Sequence, residues 1–255
     1  MKIQFIGTGA ADWDWSLPLA PGVRGSTASL LDGHILIDAG PTVVHEMEQQ
    51  GISPSDITDV LITHSHSDHF NTENIQAIAS APRAEALRMF ASSQALECLE
   101  GNIEKVPLVF GKEYLIGKLK ITPLPANHAL RDIAENTYHF LIVTPENKRL
   151  FYALDGGWLT SAACRLLHGE HLDMIVWDAT SGNCFNDWRF ADHNELLMIH
   201  NMRSAMASLE LVNEKTIHVF NHIARTLWPK SPEERARLAD EFEGILAEDG
   251  MQITL

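Results

Sequence analysis

The sequence predicts an α/β protein with two sheets packed face to face and helices outside, a four-layer αβ/βα sandwich. Three observations predict it. Short apolar runs come first in each half of the chain, and helical patterns follow them. Some runs, Met174–Trp177 above all, are continuously apolar, as in a strand buried on both faces. The chain has 255 residues, 45 % of them hydrophobic, enough to bury a sizeable core. No internal repeat or low-complexity linker interrupts it, and residues 1–255 are expected to form a single domain.

Lys2 to Ile6 reads as a strand running into Gly7-Thr8-Gly9. The loop from Ala10 to Gly25 carries prolines, glycines, Trp13 and Trp15. Ser26–Leu31 and His34–Ile37 form a hairpin turning at Asp32-Gly33. Pro41 opens a helix to about Gln50, in the first turn where its missing N–H costs nothing. Asp59–Thr63 is a short apolar strand and Thr72–Ser80 a helix. Strands then dominate: Val106–Phe110, Tyr114–Leu124, Tyr138–Thr144 and Leu150–Leu154. Helices are expected at Thr160–His168, Asn194 to about Leu211 and Pro232–Glu248, and strands at Met174–Trp177, Thr216–Phe220 and Met251–Leu255. Met198, Met202 and Met206 fall four apart on one helix and read as core packing. Glu233 and Glu234 suit a helix N-terminus.

The formal net charge of −15 argues against long nucleic acid as a partner, since no run of Lys and Arg offsets it. It does not argue against a small anionic substrate, because a bound dication dominates its own site. Cys98, Cys164 and Cys184 form no CxxC pair, which speaks against a disulfide scaffold or a cysteine zinc site. No stretch reaches the ~18 apolar residues of a membrane span. The first residues lack the apolar region of a signal peptide, so a cytoplasmic location is expected.

The strongest chemical signal is Thr63-His64-Ser65-His66-Ser67-Asp68-His69, directly after an apolar strand. A strand end followed by a tight loop aims alternate side chains into one cavity. His64 and His66 would then share one ion, and Asp68 and His69 would reach a second. Imidazole with carboxylate suits zinc, manganese or iron.

This HxHxDH string resembles the signature of the metallo-β-lactamase superfamily, and the resemblance covers nearly the whole chain. The superfamily needs three more ligands at downstream strand ends, and His128, Asp155 and His222 stand at such places. The resemblance implies the metallo-β-lactamase fold and two divalent ions, zinc or manganese, with iron as an alternative. It implies that His64, His66 and His128 hold one ion, that Asp68, His69 and His222 hold the other, and that Asp155 bridges them. Asp38, in Leu36-Ile37-Asp38-Ala39-Gly40, matches a position that supports the histidine loop from behind. Two such ions lower the pKa of a shared water, giving hydroxide near neutral pH. Asp68 is accordingly placed in catalysis as well as metal binding.

Within the superfamily, Gly7-Thr8-Gly9-Ala10, Arg24-Gly25-Ser26 and Asp249-Gly250-Met251-Gln252-Ile253 resemble the PhnP-like cyclic phosphodiesterase and tRNase Z branch. So does Asp192-His193-Asn194-Glu195, where the resemblance implies His193 as a general acid, with Asp192 a candidate to hold its ring. The expectation is a phosphodiesterase acting on a small, cyclic sugar or nucleotide phosphate. Alternatives are a lactonase or thioesterase, a tRNase Z-like nuclease, and a non-catalytic metal-binding carrier. The loop at Ala11-Asp12-Trp13-Asp14-Trp15 lacks the cysteines that hold a structural zinc in PhnP-type chains, so none is expected. Trp13 and Trp15 either stack on a substrate ring or pack on the sandwich edge. No substrate-binding residue is assigned, and a homodimer is left open.

Overall fold

The computed structural model describes residues 1–17, 19–20, 22–130 and 134–255. Pro18 and Pro21 of the loop between Ala10 and Gly25 therefore lie outside the described residues. The chain divides into two compact units. One comprises Met1–Leu108, Leu130–Asn136 and Glu248–Leu255, the other Val109–Ala129 and Thr137–Ala247.

In the first unit the elements are β1 (Lys2–Gly7), β2 (Ala28–Leu31), β3 (Ile35–Ile37), α1 (Val43–Gln49), β4 (Asp59–Leu61), α2 (Thr72–Ser80), β5 (Leu87–Ala91), α3 (Ser93–Glu97) and β6 (Ile103–Pro107). Asp32 and Gly33, with φ of 47° and 80°, are the central residues of the turn from Leu31 to His34 that joins β2 to β3. From β3 to β6 the strands are parallel, so their carboxyl ends share one edge. Leu36, Val60 and Met89 pack against Val43 and Met47 of α1 and Ile75 and Ile78 of α2 in one apolar cluster. Asn71 caps α2 by accepting from the Asn74 N–H.

In the second unit the elements are β7 (Tyr114–Ile116), β8 (Leu119–Pro125), β9 (Tyr138–Val143), β10 (Arg149–Ala153), α4 (Ser161–Leu167), β11 (Met174–Asp178), α5 (Leu196–Ser208), β12 (Ile217–Asn221), α6 (Pro232–Glu241) and β13 (Ile245–Leu246). The sheet runs β13-β12-β11-β10-β9-β8-β7. Strands β10, β11 and β12 are parallel neighbours at its centre. Every residue of β11 is buried, which explains its unbroken apolar run. Phe151, Trp177 and Phe220 meet Ile199, Met202 and Met206 of α5 in the core, so two of the three stripe methionines pack there, and Met198 is buried outside that cluster. The last strand, β14 (Gln252–Thr254), pairs antiparallel with β1 and completes the first unit's sheet, β14-β1-β2-β3-β4-β5-β6.

Four expectations need correction. Strand β5 and helix α3 had no sequence counterpart. The run expected at Val106–Phe110 begins earlier, as β6, where it pairs with β5. Tyr114–Leu124 is a hairpin of β7 and β8, folded back at Gly117, whose φ is 57°. The last helix stops at Glu241, because Glu243 enters the left-handed region at φ 53° and Ile245–Leu246 leaves to pair with β12. Among the described residues, no helix is long and apolar enough to cross a membrane.

Candidate active site

In both units most of the candidate residues stand just past the carboxyl ends of parallel strands, the edge where open α/β sheets place their ligands, whereas His128 follows β8, which is antiparallel to β7 and β9. Three of them, Asp38, Asp155 and His222, have φ of 63°, 50° and 60°. This left-handed backbone is uncommon for residues other than glycine and costs about 1–3 kcal/mol, which the surrounding structure must offset. Here it turns a side chain away from the direction its strand would give it.

In the first unit, Asp38 follows β3 and is fully buried. One of its carboxylate oxygens accepts from the Thr63 N–H at 2.8 Å, and the other meets His69 Nδ1 at 2.8 Å. The Thr63 hydroxyl donates to Asp38 and so accepts from His64 Nδ1 at 3.0 Å. Asp38 thereby fixes two imidazoles, His69 directly and His64 through Thr63. With Nδ1 of each ring engaged, His64 Nε2 stands 2.9 Å from His66 Nδ1, and His69 Nε2 stands 3.3 Å from Asp68. The turn is closed by His69 and Phe70 N–H groups on the His66 carbonyl. Gly40 is needed at this point, since a Cβ there would overlap the Asp68 carbonyl. Burial pushes the Asp38 carboxyl above the usual range, against the pull of His69 and Thr63. His64, His66, Asp68 and His69 thus gather in one place, with Asp38 hydrogen-bonded to Thr63 and His69.

In the second unit, Asp155 follows β10, Asp178 ends β11 and His222 follows β12. His222 Nε2 lies 3.0 Å from Asp155 Oδ1, and His128 Nε2 lies 3.6 Å from Asp155 Oδ2. The rear of each ring is again held: His128 Nδ1 by the Asp192 carbonyl at 3.2 Å, His222 Nδ1 by the Thr180 hydroxyl at 2.7 Å. Thr180 in turn donates to Asp178 at 2.6 Å. His193 Nδ1 meets the other Asp178 oxygen at 2.8 Å, and its ring stacks on His222 with centroids 5.5 Å apart.

Asp178 is the residue that sequence reasoning missed, and it corrects one expectation. The ring of His193 is held by Asp178, and Asp192 contributes only its carbonyl, to His128. Neighbours in a loop point apart, so adjacency was the wrong guide. The available signal was Asp178-Ala179-Thr180 at the end of an apolar strand, in the same position that marks Asp155. Burial alone would raise the Asp178 carboxyl, yet the imidazoles of His193 and His222 bring it below the usual range. Burial alone would lower His193, and Asp178 reverses that, so its net shift is upward. Asp155, Asp178, His193 and His222 bring ligand atoms within 4.8 Å of one another. His139, buried beneath Gly156, is pushed down to about 4 by burial and stays neutral.

A family model described as the beta-lactamase superfamily domain matches residues 34–223, well over half of the chain and every candidate ligand named above. The chain belongs to that family. Its αβ/βα fold class, predicted from the sequence, is the one its structural likenesses share. Zinc-bound PqqB from Methylobacterium extorquens superposes with a TM-score of 0.77 over 100 % of both chains at 16 % identity. Human tRNase Z, short form, does so at 0.69 over 100 % of this chain and 99 % of that one, at 17 % identity. At such identities the likeness speaks for fold alone. Among curated proteins, a ribonuclease Z of Methanococcus maripaludis is 31 % identical over 103 residues, 39 % of this chain. The chain spans only about a third of that relative's length, 32 %.

Proposed function

We propose that this metallo-β-lactamase family member is a metal-dependent phosphodiesterase acting on a small, cyclic sugar or nucleotide phosphate. Two divalent ions would be held as the family resemblance implies, by His64, His66 and His128, by Asp68, His69 and His222, and by Asp155 between them. The side chains fit such a cofactor. His64, His69, His128 and His222 each have Nδ1 engaged by a protein group and Nε2 turned to another candidate ligand, the arrangement that fixes tautomer and ring orientation at metal sites. Such ions supply Lewis-acid activation of water and of the phosphoryl oxygen.

The observation that carries the phosphodiester reading is the Asp178–His193 pair. Water attacks phosphorus and the bond from phosphorus to the alkoxide oxygen breaks. A sugar alkoxide is a poor leaving group and needs a proton as it departs. Asp178 takes the Nδ1 side of His193 and raises its pKa, so a proton on Nε2 is available to that oxygen. Thioester cleavage calls for such a donor less, because a thiolate leaves without it; a lactone also releases an alkoxide, and the substrate panel separates that case. Asp68, paired with His69, is assigned to orient the attacking water.

The ribonuclease Z relative favours a second reading, cleavage of an RNA phosphodiester, with the same chemistry and a larger substrate. The net charge of −15 weighs toward the small one. The test is a panel with zinc, manganese and iron supplied separately. It sets bis-p-nitrophenyl phosphate and ribose cyclic phosphates against a tRNA precursor, a homoserine lactone and an acyl thioester. Turnover of the small phosphodiesters should exceed the rest. Lactone or thioester turnover larger by orders of magnitude would overturn the reading, and so would a protein that binds metal and turns over nothing.

A further inference from the structure

A cleft opens in the second unit at the end of β12 away from the candidate active site. Its volume is about 840 Å³, a size suited to a small organic molecule. Arg203 and Ala207 line it from α5, Val212, Glu214 and Lys215 from the turn that follows, His218 from β12, and Glu243 from the turn after α6. His218 lies near the start of β12 and His222 just past its end. An extended strand separates them by about 13 Å, so a small molecule held at His218 stands clear of His222.

The lining states what the cleft would hold. Its floor carries a buried donor, for His218 is only 6 % exposed. Trp177 Nε1, which can only donate, gives its hydrogen to His218 Nδ1 at 3.1 Å. The neutral ring therefore carries its own proton on Nε2, and among the described residues no group accepts it. Burial, and then the Arg203 charge, push this imidazole down to about 3, so it is neutral at physiological pH.

Beside it stands a cation that its partner only partly offsets. Arg203 donates from Nη1 to the Phe242 carbonyl at 2.6 Å and from Nη2 to Glu243 at 3.1 Å. The Arg203 side chain is 16 % accessible, whereas that of Glu243 is 76 % accessible and shielded by water. Burial presses the guanidinium below its ordinary range, and Glu243 restores only part of the loss. Val212, which is buried, and Ala207, which is exposed, add an apolar wall. A single negative charge with two acceptor oxygens would answer Nε2–H and the guanidinium together. A doubly charged phosphate would also face Glu214 and Glu243, against one partly buried cation.

We propose that this cleft binds a small organic monocarboxylate, its carboxylate on His218 Nε2–H and Arg203 and its apolar body along Val212 and Ala207. The site stands apart from the phosphodiesterase reading, and its test needs no turnover. Magnetic resonance would follow the His218 ring and the Trp177 indole N–H of the intact protein during titration with hexanoate, its neutral analogue hexanamide, and inorganic phosphate. Hexanoate should shift the signals of both residues. Calorimetry should show it binding about tenfold or more tightly than hexanamide, the margin of a charge-assisted hydrogen bond. Phosphate should bind more weakly than hexanoate. Ala207→Trp fills the cleft from the exposed side, without touching the core, and should abolish binding. His218→Phe keeps a ring against Trp177 but no donor, and should weaken hexanoate by about tenfold. Equal affinity for hexanoate and hexanamide would overturn the site, as would binding that survives Ala207→Trp. So would His218 and Trp177 signals that stay in place at saturation, since the carboxylate would then sit elsewhere, at the proposed metal centre for one. Tighter binding of phosphate would overturn the carboxylate as its ligand.

Discussion

The two units solve one problem with the same parts in different order. In each, a fully buried aspartate at a parallel strand end holds one histidine directly and a second through a threonine hydroxyl: Asp38 with His69 and, by Thr63, His64; Asp178 with His193 and, by Thr180, His222. In the first unit the threonine precedes its histidine in sequence. In the second it follows its aspartate, and the histidine lies on the next strand, β12. The electrostatic outcome also differs, upward for Asp38 and downward for Asp178. The comparison teaches that what is conserved between the units is a tertiary arrangement of three groups, free of any shared spacing. It also separates two tasks. Both histidines on Asp38 belong to the proposed ligand set, whereas Asp178 holds one proposed ligand and the proposed proton donor.

The sharpest way to break the comparison is to remove the group that both proposed ions share. Asp155→Ala should lose metal and lower phosphodiester turnover by about 10³-fold or more, since several kcal/mol of transition-state stabilisation go with the ions. Elemental analysis alongside kinetics checks it. Next comes His193→Ala, with ions retained. Turnover should fall by about 10²–10⁴-fold on alkyl leaving groups and far less on p-nitrophenolate, which departs without a proton. Equal losses on both would remove His193 from the chemistry.

The two aspartates should then diverge. Asp38→Asn and Asp178→Asn should each weaken ion binding by about 10–100-fold in metal titrations. Only Asp178→Asn should change the pH profile. A raised His193 pKa keeps the donor protonated to higher pH, so turnover of alkyl esters falls as pH rises through it. Without the Asp178 charge that limb should move to lower pH, and in Asp38→Asn it should stay. The smallest effect concerns stability. His218, whose Nδ1 accepts from Trp177, is pushed down to about 3 by burial and by Arg203. The unfolded chain therefore binds this proton first. Stability is complete above the ordinary histidine value and falls as pH drops from about 6.5 toward 3, by up to about 1.4 kcal/mol per pH unit. His218→Gln should flatten that slope in urea unfolding at pH 7 and 5.

What the sequence revealed follows the same division. The first unit's proposed ligands are legible because they fill one short stretch after a strand, His64 to His69, where local geometry brings them together. Those of the second are scattered from His128 to His222, and only the family order and the strand ends made them readable. Asp178 carries only the local signal of an aspartate ending an apolar strand; its role appears when β11 and β12 lie side by side, Asp178 opposite Asn221. Trp13 and Trp15, the rings that the sequence offered for stacking on a substrate, are half-buried. In the fold, β6 was misplaced because Glu104 and Lys105 interrupt its apolar pattern, and α6 was overextended because Ile245 and Leu246 keep a helical spacing.

The central claim is that the seven proposed ligands hold two ions, and metal stoichiometry tests it most directly. Zinc-reconstituted protein should hold two ions per chain by elemental analysis. His64→Ala, in the first unit, and His222→Ala, in the second, should each hold one or fewer. One ion or none in the wild type, or two retained in either variant, would contradict it.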